Sequence, residues 1–181
     1  MSTTQVKTEI REGTWTADTA HSSASFAVEH AGLSVFRGGF KPVDAGLTVS
    51  GGNFALDGSV EIASISVDDD NIRPHLLSPE FFDAERNPSV RFQSTEISGE
   101  PDDLRVSGEL SMAGFALPVT ARGRLRGPIE APGGGQKLAL ALEAVIDRTD
   151  FGMNWQMELP SGGAALANEV KLVVDLELNR S

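Results

Sequence analysis

Neither cysteine nor tyrosine occurs in this 181-residue chain. Without cysteine there are no disulfides and no thiolate chemistry, and the redox compartment is left open. Without tyrosine the aromatic side chains reduce to nine Phe and two Trp, rings that suit a solid core or a greasy lining. Positive charge is short as well: 15 Lys and Arg face 26 Asp and Glu, for a formal net charge of −11. Nucleic-acid binding needs clustered cations, and so does adsorption to anionic headgroups, so both are disfavoured. No apolar run reaches the ~18 residues that span a bilayer. Met1 to Arg11 is polar and holds no apolar stretch of the kind a secretory signal needs. These absences lead to the expectation of a cytoplasmic protein.

What the chain has is alternation. Leu104, Val106, Gly108, Leu110 and Met112 skip over Arg105, Ser107, Glu109 and Ser111, and Val119, Ala121, Gly123 and Leu125 are spaced by polar residues in the same way. Two later runs repeat the pattern, Leu138 to Ile146 and Val170 to Leu178. A period of two places successive side chains on opposite faces of a strand, so the sheet is antiparallel with one dry and one wet face. The residues between dry positions are mostly charged, which leaves no face for a helix layer to cover. Such a sheet curls on itself around an interior.

Along the chain, residues 1–13 read as a disordered leader and 14–181 as a single domain. Strands are expected near Trp15–Ala17, Ala24–His30, Leu47–Val49, Val60–Val67 and Val90–Gln93, with Gly38 and Gly39 marking a bend. Residues 68–88 differ in kind: acids, Pro and Ser surround Leu76, Leu77, Phe81 and Phe82, which suggests a helical crossover capping one end. Residues 114–118 read as a hairpin turn, 127–137 as an exposed Gly- and Pro-rich loop, and 148–167 as an irregular segment. The total is about eight strands. A barrel of that size is just wide enough for side chains to fill it or for one slender ligand. Gly108, Ala121, Gly123 and Ala144 on the dry face fit either outcome.

Catalytic constellations are not apparent. His21, His30 and His75 have neither helical i, i+4 spacing nor cysteine partners, so a metal site is not indicated. There is no Gly-x-Ser-x-Gly elbow, and Asp150-Phe151-Gly152 lacks the other kinase segments. The expectation is a non-enzymatic protein. The alternative is an enzyme or metal-dependent activity that uses the histidines at a barrel mouth.

Several segments together resemble the YceI-like family of lipocalin-like, polyisoprenoid-binding proteins. They are Trp15-Thr16-Ala17-Asp18, His21 to His30, Val35 to Phe40, His75 to Asp83, Asn87 to Phe92, Val106 to Leu110 and Arg148 to Gly152. The resemblance implies an all-β fold: an extended eight-stranded antiparallel barrel, with the short helical crossover capping one end. It also implies an apolar tunnel for a long isoprenoid chain, either a polyprenyl phosphate or an isoprenoid quinone, and makes a homodimer plausible. No cofactor is expected, the lipid itself being the ligand. Candidate lining residues are Phe26, Val28, Phe92, Leu110, Leu140 and Leu172 from the dry face, with Leu76, Phe81 and Phe82 from the cap. For the mouth the candidates are His30, Arg73, His75 and Arg148, able to meet a phosphate or quinone head.

Overall fold

A computed structural model describes residues 9–181. Eleven strands follow in chain order: β1 Gly13–Ala17, β2 Ser23–His30, β3 Ser34–Phe40, β4 Asp44–Ser50, β5 Asn53–Glu61, β6 Ile65–Val67, β7 Ser89–Glu100, β8 Asp103–Met112, β9 Phe115–Glu130, β10 Gln136–Asp147 and β11 Leu166–Arg180. Among the described residues a single short α-helix, α1, spans Arg73–Leu77. Eight strands, β1, β4, β5, β7, β8, β9, β10 and β11, close into an antiparallel barrel through the pairing of β1 with β11.

The other three strands explain the excess over eight. β11 pairs β1 at residues 178–180 and β2 at residues 166–175. β1 and β2 therefore lie end to end along one flank of β11, separated by the turn at 18–22. That turn is fastened to β11: the Asp18 N–H donates to the Glu177 carbonyl (2.7 Å), and the Glu177 N–H donates to Ser22 Oγ (3.1 Å). Ser22 is fully buried there. From β2 the wall continues into β3 and β6, and the cap of residues 68–88 turns Leu76, Phe81 and Phe82 inward. Phe82 meets Phe40 of β3 edge-on at 5.8 Å.

The alternating residues face inward as their period requires, yet their burial changes along the barrel. On β11, Val170, Leu172 and Val174 are half-buried, whereas Leu176 and Leu178 are fully buried. At the end holding Leu178, the interior is filled by Trp15, Leu47, Leu104, Val106, Leu125, Leu138 and Leu140, and the remaining void is only about 10 Å³. The inward residues towards the opposite end border open space. One half of the barrel is core and the other is cavity.

Several boundaries differ from the sequence reading. Residues 1–8 of the expected leader lie outside the described residues. Beyond them Ile10 is buried in the core and β1 already begins at Gly13, so order starts before residue 14. The expected loop at 127–137 is mostly strand: β9 runs to Glu130 and β10 starts at Gln136. Cross-strand partners extend the hairpin past Pro128, a residue that reads locally as a breaker. The turn between β8 and β9 is only Ala113–Gly114.

Candidate ligand cavity

The open half encloses a cavity of about 370 Å³, within the range of small-molecule sites. β2 contributes Phe26 and Val28, β7 Phe92, β8 Leu110 and β11 Leu172, while the cap contributes Leu76, Phe81 and Phe82. All eight had been expected in the lining. Two glycines let the Phe26 and Phe92 rings lie against the wall. A side chain at Gly38 would come within 2.4 Å of Phe26 Cζ and one at Gly108 within 2.5 Å of Phe92 Cζ, both contacts too close to exist. The small residues at these positions therefore make room for phenyl rings, and the void lies beyond those rings.

Two expected positions fall elsewhere. Leu140 lies one layer deeper, in the filled half beside Val106 and Leu125. The alternation identified its face correctly; its height along the barrel depends on strand stagger, which the pattern does not encode. Arg73 does not line the cavity. Its Nη2 donates to the Ala63 carbonyl at 2.5 Å and its Nε to the Ile65 carbonyl at 3.4 Å, which ties α1 to the preceding turn.

Arg148 does border the cavity, in a role other than the one expected of a free head-group cation. It is only 3% exposed. Its guanidinium donates to the carbonyls of Met153 (2.5 Å), Trp155 (2.8 Å), Ala167 (2.8 Å) and Leu166 (3.4 Å), and to Asn168 Oδ1 (3.4 Å). Burial pushes its pKa down from the usual arginine value, opposed by the neighbouring Asp147; a guanidinium nonetheless stays charged in proteins. The result is a pin through the irregular segment. Its five N–H groups serve two carbonyls of the irregular segment, two at the start of β11 and the Asn168 side chain.

The mouth lies between the cap, the end of β2 and that pinned segment. His75 Nε2 is 2.5 Å from Glu80 Oε2. The imidazole stands edge-on to Phe81 at 4.9 Å and to Trp155 at 5.1 Å. Trp155, which sequence reasoning left unassigned, thus joins the cap to the 152–165 loop; an isolated Trp in a Gly-rich stretch was its only signal. His30, at the end of β2, also lines the cavity and has no hydrogen bond from its side chain among the described residues.

The three histidines do not assemble. His21 sits on the β1–β2 turn with Nδ1 3.0 Å from Asp18 Oδ2 and 4.0 Å from Glu177 Oε1, away from the cavity lining. Asp18, His21 and Glu177 hold their ligand atoms within 4.8 Å of one another, but Lys137 Nζ lies against both carboxylates, at 3.1 Å and 2.6 Å. The ammonium takes the place a metal ion would need. The hydrogen bond from His21, then that from Lys137, holds the Asp18 pKa well below the usual carboxylate range. The bond to Glu177, then that to Asp18, raises the pKa of Lys137.

Fold and site together define an apolar-cavity barrel: antiparallel strands closed around a chamber that is filled at one end and open at the other. The chain belongs to the YceI-like family, whose domain model matches residues 15–178. It is 31% identical over 160 residues to protein YceI of Escherichia coli, covering 87% of this chain and 81% of that one, and equally so to protein YceI of Salmonella arizonae. Among solved structures, Burkholderia cenocepacia BcnA superposes with a TM-score of 0.75 at 19% identity, over 89% of this chain and 98% of that one. A polyisoprenoid-binding domain from Saccharophagus degradans superposes with a TM-score of 0.65 at 12% identity, over 94% and 100%. At these identities the structural likeness concerns the fold.

Proposed function

We propose that this protein is a non-catalytic carrier of an isoprenoid lipid, with the prenyl tail in the cavity and a neutral head at the mouth. The observation that carries the reading is the apolar chamber of about 370 Å³ closed at its far end by packed side chains. Burying a methylene is worth about 0.8 kcal/mol, so one five-carbon unit grosses roughly 3 kcal/mol before ordering losses. The tail supplies most of the affinity. A polyisoprenoid-binding relative of the same fold agrees with this reading.

The head-group argument rests on the cations. Arg148 is engaged by five acceptors and Arg73 by two carbonyls, while His75 is held by Glu80. A phosphate or diphosphate brought into this mouth meets no unengaged guanidinium in the cavity lining and a chain of net charge −11. A quinone carbonyl or a hydroxyl needs only one donor, and the His30 imidazole provides it.

Titration with a prenylquinone of short tail tests both parts, read by quenching of tryptophan fluorescence. Trp155 lies at the mouth, and Trp15 is wholly buried at the far end, so a quinone head at the mouth quenches one of the two. The expected result is saturable quenching, with a prenyl diphosphate of equal tail length competing at least roughly tenfold less well, a difference of about 1.4 kcal/mol. Leu110→Asp, checked for folding by circular dichroism, should lose binding, since a carboxylate in the chamber has no partner. Equal or stronger competition by the diphosphate would contradict the neutral head, and undiminished binding by folded Leu110→Asp would contradict the chamber as the site.

A further inference from the structure

We infer that the rim of the cavity mouth is a docking surface for an electrically neutral lipid bilayer, from which the ligand enters; this rests on the lipid-carrier reading above. Six large apolar side chains are strongly exposed among the described residues, and four belong to this rim: Leu33, Val35, Phe115 and Met157. Leu33 is 90% exposed at the tip of the β2–β3 turn, where an apolar residue has nothing of its own chain to cover it. Backbone bonds tie that turn to the loop carrying Met157: the Ala31 N–H donates to the Ala165 carbonyl (2.8 Å), and the Ala165 N–H to the Met157 carbonyl (2.9 Å). Phe115 closes the collar on the other side, packed over Gly152 where that loop begins. The other two, Ile129 and Val145, lie outside this rim, on β9 and on the outer side of β10.

The collar is continuous with the chamber. Trp155 lies two residues from Met157 and lines the cavity, and His30 lies three residues from Leu33 and lines it as well. An apolar tail passing from a bilayer over Leu33 and Met157 to Trp155 keeps greasy contact throughout, whereas a route through water exposes the whole chain. The occupant argued for is therefore the phase that holds such a lipid. Its charge follows from the neighbours: exposed Glu29, Asp150 and Glu158 sit beside the collar, with Arg37 further down β3. Acidic neighbours on an acidic protein repel an anionic surface and leave a zwitterionic one.

The test uses the full chain and two kinds of vesicle, phosphatidylcholine alone and phosphatidylcholine mixed with phosphatidylglycerol, in flotation and in uptake of a short-tailed prenylquinone. Leu33→Asp and Met157→Asp together change the collar, and neither residue lines the cavity. Wild type should float with phosphatidylcholine, less with the anionic mixture, and take up quinone from vesicles. The double variant should lose flotation and slow uptake by roughly tenfold or more, while binding quinone presented in detergent as wild type does. Detergent binding without flotation by wild type, or a double variant equal to wild type in flotation and uptake, would overturn the docking surface. So would conversion of a dimer into a monomer by the two changes, since the collar would then be covered by a second copy. If neither form binds quinone from detergent, the carrier reading fails, and flotation on quinone-free vesicles still decides the collar.

Discussion

Arg148 illustrates how one side chain can look functional in sequence and prove architectural in space. A lone arginine near an expected barrel mouth suggests a head-group ligand. The residues it actually serves, Met153, Trp155, Leu166 and Ala167, lie in the irregular loop and at the start of β11, where the register against β2 shifts, so their carbonyls give no periodic signal to read. Replacing Arg148 by Ala takes the guanidinium from the buried Met153 carbonyl and from the half-buried Trp155 and Ala167 carbonyls, and should destabilise the fold by on the order of 2–4 kcal/mol. Lysine, with one ammonium in place of a fork, should recover little of it. Denaturant titration of the two variants measures this, and a stability within about 0.5 kcal/mol of wild type for Arg148→Ala would show that the pin is dispensable. The Asp18 cluster makes a second prediction at this scale. Its carboxyl has a lowered folded pKa, so its contribution is present above the unfolded value of about 4 and fades as pH falls below it. Lys137, raised in the fold, contributes below its unfolded value of about 10.4 and loses that contribution as pH rises through the folded one. Asp18→Asn should therefore flatten the acid limb of a stability-against-pH curve. An unchanged acid limb would mean that the cluster is screened by solvent and adds nothing.

Among the elements, the strands that alternate strictly, β8 to β11, were legible because one face is dry and the other wet. Those with special jobs were not. β5 and β6 are separated by a single 3-10 turn at Ile62–Ser64, and the sequence there has no clear period. The cap reads as a helical crossover from its Pro, Ser and acid content, yet only Arg73–Leu77 is helix; the remainder is turns stabilised by Phe81 and Phe82 entering the interior. The glycine on β8 is an element-level feature too. Gly108→Val would drive a side chain into Phe92 and the Gln93 carbonyl, displacing the ring into the chamber. Overpacking of this kind costs typically 1–3 kcal/mol, so the variant should unfold earlier on heating and also bind prenylquinone more weakly. A variant with unaltered melting and binding would show that the ring is not held against that wall.

At the scale of the molecule, closure of the sheet followed from its wet and dry faces, while the division into filled and open halves did not. It depends on which inward residues share a level, and therefore on stagger between strands such as β10 and β11, paired Leu138 with Leu178 and Ala144 with Leu172. Period and composition carry no such information. The division has a measurable consequence in chain length. Each added isoprene unit should tighten binding until the tail reaches the packed layer of Leu47, Val106, Leu125 and Leu140, after which affinity should level off. Continued strengthening over many more units would require a second opening that the packed end does not have.

The most direct test of the chamber is native mass spectrometry of wild type and Ala144→Phe, each incubated with a prenylquinone and freed of excess by gel filtration. Ala144 faces the chamber on β10, opposite Leu172. A phenyl ring there fills empty space, so the variant should fold with a melting temperature at or above that of wild type. The predicted result is one quinone bound per wild-type chain and little or none on the folded variant. A folded Ala144→Phe that carries the quinone in wild-type amount would place the lipid outside this interior and contradict the account.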